Sequence, residues 1–300
     1  MEKYQNRNKL APVCLFTYNR LSETEQTVKA LKKNYLAPES DLFIFSDGPK
    51  DETGIKKVKE VRQYIKKIDG FKSVTIYESP TNKGLANSII SGVSQIIEQY
   101  GKIIVLEDDL ITSPNFLDFL NQALNFYNGD PKIHSISGFT FNLKSLHNYQ
   151  KDFYLGYRAS SLGWGTWIEK WKGIDWNVRE YKTFKRNPLQ QIKFMRGGSD
   201  MPRMLRNQMK GKIDSWAIRW CYHQFKQNLI TVFASKPKIN HIGDGNDATN
   251  ASGAKKYRTD LDLGYQRKFN FDVQPTINKK IAKDFRKKFS VLSRLHDKFL

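Results

Sequence analysis

Three hundred residues suffice for one large domain or two modest ones, and a chain that is 39% apolar and 13% aromatic does not belong to the disordered class. Two cysteines, Cys14 and Cys221, cannot build a disulfide scaffold and suit a reducing compartment; no apolar run reaches the ~18–20 residues of a membrane-spanning helix, and the polar first ten residues do not read as a signal peptide. The net charge of +20 is lopsided, with 19 basic and 17 acidic groups in residues 1–150 against 31 and 13 in residues 151–300. An anionic counterpart is therefore expected at the second half: nucleic acid, an anionic membrane surface or a phosphorylated substrate.

In chain order, residues 11–17 are a short apolar run that predicts a buried strand, followed by the polar break Tyr18-Asn19-Arg20. Ser22-Glu23-Thr24-Glu25 has the spacing of a capping box and predicts a helix to about Tyr35. Residues 41–45 predict a second strand, stopped by the turn signal Ser46-Asp47-Gly48-Pro49. A lysine-rich amphipathic helix follows, with Val58, Val61, Ile65 and Ile68 at helical spacing. Residues 74–77 predict a third strand, which leads through Asn82-Lys83-Gly84 into a helix over 85–100. Residues 102–106 are almost wholly apolar, as central parallel strands are. Strict alternation of strand and helix predicts an α/β fold, a mostly parallel sheet flanked by helices, and such sheets place ligands at the carboxyl ends of their strands. The second half is less regular: an aromatic-rich stretch over 153–176, a region over 188–211 with Gly197-Gly198, a helix over 216–227, a strand over 229–234 and a Gly/Asn/Asp loop over 243–253.

Leu106-Glu107-Asp108-Asp109-Leu110 sets three consecutive carboxylates at the carboxyl end of the most apolar strand. Carboxylates this close raise one another's pKa, and a hard divalent cation such as Mn²⁺ or Mg²⁺ would hold them ionised while also taking substrate phosphate oxygens. A solvated acidic turn is the alternative that these residues alone leave open. The other strand ends carry Thr17 to Arg20, Asp47-Gly48 and Asn82-Lys83-Gly84, and in a parallel sheet these loops converge on one cleft. An Asp there can hold a base or ribose, and an Arg or Lys a base or phosphate. No Gly-x-Gly-x-x-Gly follows the first strand and no P-loop signature occurs, which argues against dinucleotide-binding and P-loop proteins.

Tyr18-Asn19-Arg20, Ser46-Asp47-Gly48, Asn82-Lys83-Gly84-Leu85-Ala86 and Glu107-Asp108-Asp109, in that order, resemble GT-A glycosyltransferases. More closely, the sequence resembles the N-acetylglucosaminyltransferase I type and its bacterial relatives, in which the Asp-x-Asp motif is written Glu-Asp-Asp. Downstream, Ser161-Leu162-Gly163-Trp164 resembles that family's Gly-Leu-Gly-Trp loop, and Asp214-Ser215-Trp216 its Asp-Asp-Trp segment, which opens a helix and carries the catalytic base. The resemblance implies that Asp109 binds the Mn²⁺ or Mg²⁺ that bridges the donor diphosphate. It gives Asp108 to the ribose, the donor sugar or the metal, and Glu107 to the nucleotide side. Thr17, Arg20, Asp47, Lys83 and Gly84 would line the nucleotide-sugar pocket. Gly163 and Trp164 would belong to an acceptor or donor loop, expected to be exposed, with Trp164 free to stack on a sugar ring. Asp214 would be the general base that takes the acceptor hydroxyl's proton in an inverting transfer from a UDP-sugar such as UDP-GlcNAc.

Two departures stand out. The family has paired acids before its Trp where this chain has Asp214-Ser215. Relatives often carry a His after the late Gly turn, whereas here Asn250 is near that place and the nearest His is His241, so the motif gives no support to a His contact with metal or diphosphate. On this reading residues 1–130 form the nucleotide-sugar-binding half, residues 131–255 the acceptor-side and catalytic-base half of the same GT-A domain, and residues 256–300 a basic tail. The implied partners are a UDP-sugar and a glycan or lipid-linked acceptor of surface polysaccharide synthesis, at the cytoplasmic face of the plasma membrane. A nucleotidyltransferase would show a Gly-rich basic signature after the first strand, and none is present. A nucleic-acid-binding protein would suit the charge of +20, but no DNA- or RNA-binding motif occurs, and no nucleic-acid partner is expected.

The last 22 residues, 279–300, hold eight basic and two acidic groups, with Ile281, Phe285, Phe289, Leu292, Leu295 and Phe299 at three- or four-residue spacing. A basic amphipathic helix of this kind either lies in an anionic headgroup layer or docks its apolar stripe on the catalytic domain; the spacing leaves both open.

Overall fold

A computed structural model describes residues 9–243, 257, 259–290 and 293. β1 (Val13–Thr17) lies between β2 (Asp41–Ser46) and β4 (Lys102–Glu107) and runs parallel to both, with β3 (Ser73–Glu78) parallel to β2 at the edge. β8 (Trp164–Trp167) continues the sheet antiparallel to β4. β6 (Ile133–Ser137), β9 (Ile230–Ala234) and β7 (Phe153–Gly156) complete eight strands in the order β3-β2-β1-β4-β8-β6-β9-β7. The α/β architecture with a mostly parallel sheet is the one the alternating pattern predicts.

Alternation along the strands explains the two-sided core. Val13, Leu15, Leu42, Ile44, Ile104 and Leu106 face α1 (Leu21–Lys32), α2 (Glu52–Ile65) and α4 (Phe116–Phe126). Cys14, Phe16, Phe43, Ile103 and Val105 face α3 (Leu85–Tyr100) and α9 (Trp216–Lys226) on the other side. Strands buried on both faces read as unbroken apolar runs, which is why they stand out in the sequence. α3 covers the residues expected of it and stops at Gly101, whose φ of +77° gives the left-handed C-cap that glycine adopts without strain.

The capping box at Ser22 does not form. α1 begins at Leu21 after Arg20, which supplies no side-chain cap, and Ser22 sits inside the first turn, where it accepts from Gln26. Arg20 is drawn instead towards the Asp108 and Asp109 carboxylates, so the helix starts before the serine can cap it. A second correction concerns Gly163 and Trp164, expected in an exposed loop. Both are buried: Gly163 has φ +59° and abuts Ile239, and Trp164 starts β8 with no exposed surface. Trp164 packs with Trp171, Trp216 and Trp220 at ring separations of 5.6, 5.2 and 4.4 Å, so the flanking glycines serve close packing and leave no platform for a sugar.

Between β8 and α9 the chain forms short helices: α5 (Ile168–Trp171), α6 (Tyr181–Lys185), α7 (Pro188–Phe194) and α8 (Met201–Met209). Two further strands, β5 (Leu110–Thr112) and β10 (Ile239–His241), pair antiparallel as a separate ribbon. After the described residues resume, 259–278 run without helix or strand and are tied to the domain by Arg267 to Asp118 at 3.1 Å and Asn115 to Asp262 at 2.9 Å. α10 (Lys279–Lys287) then buries Ile281 and Phe285, and Phe289 beyond it, against Phe141 and Phe233. Leu292, Leu295 and Phe299 of the apolar stripe lie outside the described residues. No helix among the described residues is long and apolar enough to cross a membrane.

His134 on β6 is fully buried, and neither ring nitrogen has a hydrogen-bond partner among the described residues. Its ring lies 5.0 Å from Trp220 and 5.8 Å from His223. Burial, with His223 and Lys170 adding to it, holds its pKa well below the ordinary histidine value. The unfolded chain therefore takes up a proton that the folded ring refuses. This contribution to stability is complete above about pH 6.5 and shrinks by about 1.4 kcal/mol per unit as pH falls towards the depressed pKa. His134→Phe is expected to lose less melting temperature between pH 7 and pH 5 than the parent; equal losses would remove His134 as the source of acid sensitivity.

Candidate active site

Register places the chemistry. Thr17 at the end of β1 is opposite Ser46 of β2, and Phe16 is opposite Glu107 of β4, so the segments leaving these three strands emerge side by side. Arg20 follows β1, Asp47 follows β2, and Asp108 and Asp109 follow β4. The Thr17 hydroxyl is buried there with no hydrogen-bond partner among the described residues.

The Arg20 guanidinium bridges the two aspartates, paired with Asp108 and 2.9 Å from Asp109 Oδ2. Behind them Thr27 Oγ1 donates to the Asp108 carbonyl at 2.8 Å and accepts from the Leu110 amide at 3.1 Å, fixing the backbone of the acidic turn. The β5–β10 ribbon sets His241 opposite Leu110, which puts His241 Nε2 3.4 Å from Asp109 Oδ2, and the Ile242 amide donates to the Asp109 carbonyl at 2.9 Å. A Cβ on Gly243 would lie 2.3 Å from that same Asp109 oxygen, so a larger residue there would displace the carboxylate.

The three carboxyls titrate apart. Burial, reinforced by Asp109 and Asp108, pushes Glu107 up to about 8. Burial pushes Asp108 up to about 6 although Arg20 pulls it down. Burial acts on Asp109 too, but the hydrogen bond from His241 and the charge of Arg20 outweigh it and hold this carboxyl below its ordinary value. Asp109 is thus the acid of the three most firmly ionised, as a cation ligand should be.

Among the described residues no group of three or more His, Cys, Asp or Glu is placed to hold a metal ion. The Asp109–His241 pair, with a glycine in place of any side chain beside it, instead fits an open site. One carboxylate and one imidazole would suit Mn²⁺, or Mg²⁺ through the carboxylate, leaving the other positions to non-protein oxygens.

Asp47 organises the neighbouring strand end. Its carboxylate accepts from the amides of Gly48 at 2.9 Å, Lys83 at 2.9 Å and Gly84 at 3.0 Å, clamping the loop that opens α3. Asn82 Nδ2 donates to the Gly48 carbonyl at 2.9 Å, and a Cβ on Gly48 would lie 2.4 Å from the Thr81 carbonyl carbon, so the two loops meet backbone to backbone. Arg62 of α2 donates to the carbonyls of Ser46, Asp47 and Ser79 and locks both loops from below. Lys83 is exposed at the rim.

Asp214 reaches the loop clamped by Asp47 from the second half of the chain. It precedes Ser215, which caps α9, and Asp214 Oδ2 lies 3.8 Å from where a Gly84 Cβ would stand. Its carboxylate is exposed and 3.4 Å from Arg219, one turn into α9, whose guanidinium is also held by the Trp176 carbonyl. Fold and register therefore gather Thr17, Arg20, Asp47, Lys83, Gly84, Glu107, Asp108 and Asp109 at the strand ends, with Asp214 beside Gly84. Gly163 and Trp164 are the exceptions, buried as described above. Arg62 gave no motif to read; Arg219 lies in the segment that resembles the family's Asp-Asp-Trp helix start, and His241, in sequence only the nearest His to the family's late-loop position, is brought to Asp109 by the β5–β10 pairing. Asn250, near the family's His position, lies outside the described residues.

A sheet wound from a parallel half, with an acidic turn at the end of its central strand facing a backbone-amide loop, is the architecture of GT-A nucleotide-sugar transferases. Residues 13–199 match Glycosyl transferase family 2, and the chain belongs to that family. Among curated proteins no match is found. Among solved structures the chain is similar to S. aureus TarS, at 15% identity and a TM-score of 0.31, over 43% of this chain and 21% of that one, so it spans about a fifth of TarS. It is also similar to the mannosyltransferase PcManGT from Pyrobaculum calidifontis, described in complex with GDP-Man and Mn²⁺, at 10% identity and a TM-score of 0.41, over 73% of this chain and 71% of that one.

Proposed function

We propose that this protein is a glycosyltransferase that moves a sugar from a UDP-sugar, with UDP-GlcNAc the donor its motifs resemble most, to a hydroxyl of a glycan or lipid-linked acceptor, with inversion at the anomeric carbon. The observation that carries the reading is that two residue groups leave the carboxyl ends of strands in one parallel set. An ionised Asp109 beside His241 belongs to one group, and Asp214 stands beside the Asp47-clamped loop of the other. Arg20, Asp47 and Lys83 line the uracil and ribose side, with Glu107 and Asp108 behind them. Asp109 and His241 would hold Mn²⁺ or Mg²⁺, which when bound supplies positive charge to the departing diphosphate. Asp214 takes the acceptor proton, and Arg219 orients its carboxylate. One base on the face opposite the leaving group needs no carboxylate nucleophile, which is why inversion is the expected stereochemistry. The setting is surface polysaccharide synthesis at the cytoplasmic face of the plasma membrane.

A panel of nucleotide sugars tests this. A UDP-sugar with Mn²⁺ is expected to raise the melting temperature and to be hydrolysed slowly without acceptor, and EDTA should abolish both effects. A response to GDP-sugars alone would move the donor assignment, and no metal-dependent response to any nucleotide sugar would sink the proposal.

A further inference from the structure

Residues 179–212, which carry the short helices α6 to α8, hold a net +8 of the second half's +18. Residues 179–212 contain ten Lys and Arg, all exposed, against two acids. Both acids are already neutralised, Glu180 by Lys226 at 2.6 Å and Asp200 by Arg158 at 2.9 Å. These helices hold to the domain by their inner faces: Phe184 and Phe194 pack on Tyr222 of α9 at 5.1 and 5.8 Å. On α7, Leu189 and Ile192 point the other way, 71% and 61% exposed, one helical turn apart on the same side. Lys185, Arg186, Lys193 and Arg196 surround them in sequence, and all four are exposed.

We propose that α6–α8 is a membrane-contact surface, on which Leu189 and Ile192 enter the headgroup layer of an anionic bilayer while the flanking cations meet its lipid phosphates. A soluble polyanion would use the cations and gain nothing from two bare aliphatic side chains; a bilayer uses both, through apolar burial plus attraction to acidic headgroups. α10 is the weaker candidate, because Ile281 and Phe285, with Phe289 beyond it, are spent inside the domain. The surface also adjoins the chemistry. Asp214 follows α8 after a short basic turn with Lys210 and Lys212, so an acceptor embedded in the bilayer would be presented beside the base. That last point rests on the proposed function; the membrane contact itself does not.

Flotation of the full chain with vesicles tests it. Binding is expected to phosphatidylcholine vesicles containing phosphatidylglycerol, not to phosphatidylcholine alone, and to weaken with salt. The charge-neutral pair Leu189→Ser/Ile192→Ser should lower the bound fraction about tenfold. Lys185→Glu/Arg186→Glu should lower it at least as much, and Lys280→Glu/Lys283→Glu on α10 should leave it within about twofold. Thermal melts confirm that each variant folds. Failure of the parent to float, or undiminished flotation of the Leu189/Ile192 variant, overturns the proposal. So does loss confined to the α10 variant. Donor hydrolysis measured without vesicles should be unchanged in the Leu189/Ile192 variant; its absence in the parent counts against the proposed function and leaves the membrane surface standing.

Discussion

Asp214→Asn is expected to lower sugar transfer by about 10²–10⁴-fold while leaving affinity for the donor within about twofold. The acceptor hydroxyl has a pKa far above neutrality, so its proton must pass to a base as the new bond forms. Asp214 is exposed to the cleft, lies beside the loop held by Asp47, and carries the one charge that an amide cannot supply. Asparagine keeps the size of the side chain and the N-cap at Ser215, so the fold should be untouched. Separate measurement of transfer and of donor binding by calorimetry distinguishes a base from a binding residue. Transfer that survives the change would remove Asp214 from the mechanism. Arg219→Lys offers a graded companion: as a positioning residue, its loss should act on kcat more than on KM.

Asp109→Ala is expected to erase the metal dependence of donor binding. Removal of an outer-sphere partner of a metal typically costs about 10–100-fold in affinity, and loss of the ligand itself should reach or exceed the upper end. The parent stripped with EDTA and the variant with Mn²⁺ should then bind the donor equally weakly. Folding should survive, because Arg20 remains paired with Asp108 and the turn is still held by Thr27. A variant whose donor affinity still rises with Mn²⁺ would show that Asp109 is not the ligand. His241→Ala should produce a smaller loss in the same direction, since the charged ligand of the pair, Asp109, remains.

The β/α alternation of the first half is written in the residues, because strands covered on both faces must be apolar throughout and amphipathic helices must repeat every three or four residues. That alternation alone fixes where Asp47, Asp108 and Asp109 lie, since a parallel sheet delivers every strand's carboxyl end to one edge. Contacts between distant segments carry no such periodic trace. His241 joins Asp109 only because two three-residue strands pair across more than a hundred residues, and short strands have no pattern of their own. Gly163 and Trp164 look like an exposed loop in sequence, yet Trp164 packs on three other tryptophans and a Cβ on Gly163 would strike Ile239. The charge of +20 was visible from the start, and so was its bias to the second half. Which apolar residues stay outside among those cations was decided by packing: Phe141 and Phe233 take the stripe of α10, while Phe184 and Phe194 turn inward and leave Leu189 and Ile192 in water.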